Sequence, residues 1–300
     1  MEGLEWSLSS PIGKLLWFLV AVFGALCSVY ALLHWRMRSK DVLAAKYRDH
    51  YRNAEALAVG WSFVGAPRAD FFGRQSIIEN EQGVHAYCTL PSPDILQPDV
   101  LQRFEDFQWA LHHQRLPGLR GCRWLRRGAA AASVQQGVLD AKGRCLPTLR
   151  EILMEGSLRA VEAENLLLEL SRALAALHDL KAPSGRLAFH GFLLPRSIYV
   201  QRGPGGEVRS VQLADTGWVF SLGAENVRSR LALLKRGKLL IDHYLGRTLL
   251  EQLPFLAPEL QPQSEGELVG PEADFYSFGA LAVALFTKER FVGPNTIEWE

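Results

Sequence analysis

The sequence predicts an α+β chain in which a β-rich part gives way to a helix-rich part, both behind an apolar N-terminal helix. Three observations carry this. Leu15 to Leu33 is an unbroken apolar run, short β-branched and aromatic stretches punctuated by Gly, Pro and charge fill 59–140, and Leu- and Ala-rich helical stretches follow Pro147. A length of 300 residues allows one large domain or two small ones. The apolar share of 48% and charged share of 22% are those of a globular protein, and a net charge of +1 gives no reason to expect a nucleic-acid partner. Cys27, Cys88, Cys122 and Cys145 are too few and too irregularly spaced for a disulfide framework, and no CxxC pair suggests zinc, so a reducing compartment is expected.

The run LLWFLVAVFGALCSVYALL, about 19 residues at about 1.5 Å each, nearly matches a bilayer hydrocarbon core of roughly 30 Å. A cleaved signal peptide has a shorter apolar region and a small-residue cleavage site, and a buried core helix is rarely so uniformly apolar. Residues 15–33 are therefore expected to span a membrane. Glu2, Glu5 and Lys14 precede the run, whereas Arg36, Arg38, Lys40, Lys46, Arg48 and Arg52 follow it. That bias places the N-terminus outside or in a lumen and the body of the protein in the cytoplasm. Trp17 and Trp35 stand where interfacial anchors belong. The predicted layout is a tail at 1–13, a transmembrane helix at 14–35, a juxtamembrane helix at 36–58 and a folded domain at 59–300. The basic juxtamembrane residues serve as the topology signal and a solvated helix face at least as well as they serve lipid binding at very roughly 1 kcal/mol each.

Within the folded domain, Val84 to Leu90 reads as a strand. Asp99 to His113 places Val100, Leu101, Phe104, Phe107 and Leu111 at helical spacing, and strands are expected at Gly121 to Arg127 and Ala132 to Asp140. After Pro147, Leu149 to Glu155 is a short helix and Ala160 to Leu180 a long one, apolar over more than half its circumference. The breakers Ala182-Pro183-Ser184-Gly185 stop it. Gln201 to Gly206 is a hairpin-type turn, Val211 to Ala214 a short strand, and Asp215-Thr216-Gly217 a turn.

In order, the chain then presents HGFLLPRSIYV (His190 to Val200), LADTG (Leu213 to Gly217), LAPEL (Leu256 to Leu260) and ADFYSFGALAVALFT (Ala273 to Thr287). These resemble the protein-kinase catalytic loop HRDLKPxNILV, the magnesium-binding DFG, the APE that closes the activation segment and the helix DVYSFGVxLxELLT. The resemblance covers about Val59 to the end. It implies a bilobal protein-kinase-like fold, with a small lobe at 59–140 and a partial large lobe at 141–300.

Much of the chemistry that the resemblance implies does not carry over. In an active kinase the catalytic-loop Asp takes or orients the substrate hydroxyl proton, and the Lys two positions later neutralises the transferring phosphoryl group. Phe192 and Leu194 stand there, and neither can take a proton or supply charge. Each loss costs roughly a hundredfold to ten-thousandfold in rate. Ser197 replaces the Asn that helps hold a second magnesium. Asp215 remains, the one metal-competent carboxylate of the set. Gly60, Gly65 and Gly73 are too far apart for GxGxxG, and Cys88 aligns with the strand Lys, whose helix partner would be Glu105 or Asp106 on a solvated face. A nucleophilic or redox role for Cys88 finds no base nearby in sequence. No cofactor is expected from this set; ATP and Mg2+ would rest on Asp215 alone.

Fold bracing is what the resemblance retains. His190 and Asp274 match the pair that fixes the loop backbone by hydrogen bonding, and Pro195 stiffens the same turn. Gly191 lacks the Arg that would pair with a phosphorylated segment, which argues against a phosphorylation switch of the ordinary kind. Thr216 replaces the usual Phe. The long segment from Asp215 to Glu259 carries Arg228, Arg230, Lys235, Arg236 and Lys238 among Leu-rich stretches, either as an amphipathic helix for a partner or as a solvated insertion. The Arg that normally pairs with the APE Glu, here Glu259, falls beyond Glu300. Evolutionary truncation, a fragment, or a partner that completes the lobe would each account for this. The reading is a membrane-anchored pseudokinase that binds proteins such as an active kinase or signalling complex, with a divergent active kinase as the alternative.

Overall fold

A computed structural model describes residues 11–287, apart from 114–115, 120, 128–129, 136–137, 141–143, 157, 183–184, 240, 242 and 265–268. It divides into two units, Met1–His50 and Tyr51–Glu300. In the first, helix α1 (Pro11–Glu55) runs without a break through the expected membrane and juxtamembrane segments and ends in the second unit. The side chains of Phe18, Phe23 and Tyr30 are exposed along it. Among the described residues, no helix is long and apolar enough to cross a membrane. The tail at 1–10, the side chain of Trp35 and residues 288–300 lie outside the described residues.

The second unit opens with an antiparallel sheet in the order β1-β2-β3-β5-β4: β1 (Trp61–Ala69), β2 (Gly73–Asn80), β3 (His85–Pro91), β4 (Arg123–Arg127) and β5 (Ala130–Gln135). Helix α2 (Pro98–His113) lies between β3 and β4 in sequence, so the expected order of strand, helix, strand, strand holds. Strand alternation sorts the side chains by face. Ser76 pairs with Cys88 and Ile78 with Ala86 on one face, whereas Gln75 pairs with Thr89 and Ile77 with Tyr87 on the other. On the first face Arg74 lies 4.3 Å over the ring of Tyr51, a contact within the second unit.

Helices dominate the remainder: α3 (Leu149–Glu155), α4 (Ala160–His178), α5 (Trp218–Leu222), α6 (Ala224–Lys235), α7 (His243–Gln252) and α8 (Glu272–Thr287), with one hairpin, β6 (Ile198–Arg202) and β7 (Val208–Leu213). Thr148 and Glu151 form a capping box that starts α3 where the sequence predicts it. Helix α4 buries the stripe Ala163, Leu166, Leu170, Ala173, Leu174 and Leu177 and leaves Val161 and Leu168 exposed, so its buried face is narrower than its composition implies. The core runs continuously from Phe104 and Phe107 of α2 through α4 to Leu281 of α8.

Candidate functional site

The turn from His190 to Ser197 is held from beneath by one buried carboxylate. Asp274, in the first turn of α8, accepts the backbone N–H groups of His190 and Gly191, each at 2.7 Å, and the ring Nε2–H of His178 at 2.9 Å. The predicted link between His190 and Asp274 is thus made by the backbone of His190. Its ring turns elsewhere: Nε2–H donates to the Ala214 carbonyl at 2.9 Å, and Nδ1 accepts the Phe192 N–H at 3.2 Å. Burial pushes its pKa down, against the opposing pull of Asp274. Gly191 sits at φ 69°, and a Cβ there would lie 2.6 Å from Val219, so the backbone leaves no room for a side chain.

Phe192 and Leu194 point into the protein and are fully buried. The Phe192 ring stacks on Phe71 at 4.9 Å and meets Phe72 edge-on at 5.1 Å. Phe72 continues the stack to Trp218 at 5.9 Å, and Trp218 lies on Phe104 of α2 at 4.0 Å. Phe71 and Phe72 belong to the β1–β2 turn, the place where the resemblance puts a glycine-rich loop. Asp70 and Gly73 close that turn with reciprocal backbone bonds at 2.6 and 3.2 Å. Gly73 alone fits its end, since a Cβ there would lie 2.0 Å from the Leu90 carbonyl oxygen. The two rings are driven inward, and aromatic pairs of this kind add about 0.5–1.5 kcal/mol each beyond their buried area. The string Asp70-Phe71-Phe72-Gly73 is the signal that sequence reasoning passed over.

Ser197 does not face outward as a metal ligand would: its Oγ–H lies near the Phe192 and Leu194 carbonyls, and its Oγ accepts the Leu194 N–H at 3.0 Å. Asp215 takes the left-handed conformation at φ 60°, rare for a residue other than glycine. The Gln75 amide nitrogen donates to its two oxygens at 3.2 and 3.4 Å. Burial raises its pKa, although Arg196, His190 and Gln75 favour the charged form. The space bordered by Asp215, Thr89, Gln108, Ser133 and Gln135 is about 10 Å³, room for about one water. Among the described residues, no group of three or more His, Cys, Asp or Glu side chains could hold a metal ion.

The register of β3 shifts the expected lysine position. The face that carries Gln75 and Asp215 also carries Tyr87 and Thr89, so Thr89 looks into the cleft and Cys88 looks away. Burial, reinforced by Glu55, pushes the Cys88 thiol up to about 12, and Cys122 is likewise pushed up to about 12, which leaves neither as a thiolate. Glu105 is not a solvated face either: it accepts the Trp124 indole N–H at 2.8 Å and pairs with Arg126 at 3.4 Å. Asp106 accepts Gln102 at 2.9 Å on the same helix.

Arg196 pairs with Asp70, and its Nη1 is buried without a protein partner. Thr216 is buried; its carbonyl accepts Gln108 Nε2 at 2.8 Å. Trp218, two residues on, stacks on Phe104 of α2 at 4.0 Å. In α6, Val227, Arg230, Leu231 and Leu234 face inward while Lys235 is exposed. The helix is therefore amphipathic, with its apolar face packed into the core and a basic end left exposed. Arg230 binds Asp94 and the Phe71 carbonyl, and Arg228 donates to the Glu259 carbonyl at 2.9 Å.

No protein-family model matches the sequence. No curated protein matches it either. Among solved structures, the chain is similar to the kinase domain of the maize sucrose-induced receptor kinase 1 bound to AMP-PNP, with a TM-score of 0.53 and 16% identity over 79% of this chain and 72% of that one. The fold is that of a protein kinase, bilobal and α+β, a five-stranded sheet followed by a largely helical part.

Proposed function

We propose that this chain is a catalytically inactive protein-kinase-like domain, tethered to a membrane through residues 15–33, that works by binding other proteins as a scaffold or as an allosteric partner of an active signalling enzyme. The observation that carries the reading is the stack of Phe71, Phe72 and Phe192, which puts apolar rings where phosphates and a catalytic carboxylate would have to meet. The remaining cleft chemistry agrees with it. Thr89 offers no charge toward the phosphates, Ser197 is turned into its own loop, and Asp215 is engaged by Gln75 in a space of about 10 Å³. These residues do not fit a nucleotide–magnesium complex. The positive charge that follows the apolar run supports a cytoplasmic domain with the N-terminus outside or in a lumen.

Asp215 favours one competing reading, a divergent kinase that uses this carboxylate with a lysine from elsewhere. A phosphoryl-transfer assay on the purified full chain and on Asp215→Ala separates the two. The inactive reading expects the same background from both proteins; transfer by the wild type that vanishes in the variant would overturn it.

A further inference from the structure

The first half of the β1–β2 turn is held by two charged side chains from the large lobe. Arg196, in the loop between His190 and β6, pairs with Asp70 at the start of the turn. Arg230, on α6, reaches the main-chain carbonyl of Phe71, pairs with Asp94 beyond β3, and lies with its guanidinium carbon 5.3 Å over the Phe71 ring. Asp94 in turn accepts the Ser92 hydroxyl, and the Ser92 N–H donates to the Phe72 carbonyl at 2.9 Å. One arginine of the activation segment thus bonds both the turn, at the Phe71 carbonyl, and the segment that follows β3, at Asp94.

We infer that Arg230 is the pin of a latch: the position of α6 sets whether Phe71 and Phe72 stay in the cleft. Two features make the pin movable. A cavity of about 160 Å³ lies beside Arg230, lined in part by Ile95, Gln97, Val100, Leu222, Asn226 and Leu233. Space beside a buried side chain gives it somewhere to go without a clash. The helix that carries it ends at exposed Lys235 and is followed by exposed Arg236 and Lys238, so a protein that draws this basic end outward draws Arg230 with it. The turn is short and its bonds to the cleft are concentrated in Asp70 and the Phe71 carbonyl, so loss of the pin acts there first. The device gives the proposed allosteric role a physical switch and rests on that reading only for its biological purpose.

Amide hydrogen exchange on the full chain tests it with Arg230→Met, which keeps apolar bulk and removes the charge, and with Asp94→Asn, which weakens the pin without opening a cavity. The latch predicts at least tenfold faster exchange of the amides of Asp70, Phe71, Gly73 and Ser92 in both variants, with Leu166 to Leu174 of α4 unchanged. Unchanged exchange at 70–73 in Asp94→Asn, or acceleration in both variants that extends to α4, would overturn it. A phosphoryl-transfer assay on the same variants keeps the two claims apart: transfer gained on release of the pin would sink the inactive reading and leave the latch standing.

Discussion

Asp274 is the side chain on which the loop geometry depends most. It is fully buried and satisfies two backbone donors and one ring donor, so Asp274→Ala strands all three in the core. Urea unfolding should show a loss of roughly 3–5 kcal/mol. Asp215 and His190 make pH-dependent contributions of opposite sign. The folded pKa of His190 lies below its unfolded value of about 6.5, so its contribution is complete above that pH and is lost as pH falls through the folded value. The folded pKa of Asp215 is raised, so its contribution is present below about pH 3.9 and is lost as pH rises through the folded value. Asp215→Asn keeps a residue that tolerates φ 60° and should therefore raise Tm at pH 7, an advantage that disappears near pH 4. At this scale the sequence was legible where Asp274 meets the loop: the carboxylate that the resemblance pairs with His190 does hold that turn, through the His190 backbone N–H. It was not legible for Phe71 and Phe72, because nothing in a run of two phenylalanines says which way a turn will fold.

At the scale of elements, the joint between α2 and the segment after Asp215 is a ring stack with polar ties. Phe104 lies 4.0 Å from Trp218, Gln108 bonds both Thr216 and Cys122, and the Arg103 guanidinium donates to the Ser221 carbonyl at 2.8 Å. Trp218→Ala should cost about 3–5 kcal/mol in chemical denaturation. Strand β3 shows why the expected lysine position slipped. A strand alternates faces with every residue, so a shift of one transfers the cleft position from Cys88 to Thr89, and only the pairing with β2 decides it. Native protein at pH 8 should accordingly resist alkylation at Cys88 and Cys122, as followed by mass spectrometry, and both should react once the chain is unfolded in urea. The inward turn of Arg230 escaped sequence reasoning for a related reason: a basic residue on a helix reads as solvent-facing until a buried acceptor is known to stand opposite.

For the whole molecule, the order of elements was largely visible in hydrophobic period and breakers, and the four ordered motifs pointed to the kinase-like fold that the likeness to the maize domain supports. What the sequence could not reveal is how the β1–β2 turn meets the rest of the domain, since that depends on contacts between residues more than a hundred positions apart, as in Arg196 with Asp70. The central claim is that the chain's own aromatic rings take the place of a nucleotide. A thermal-shift titration of the full chain with ATP and magnesium tests this most directly, because a ligand that binds only the folded state raises Tm with its concentration. The account predicts a Tm that does not move with ATP and magnesium; a saturable, magnesium-dependent rise that Asp215→Ala abolishes would contradict it.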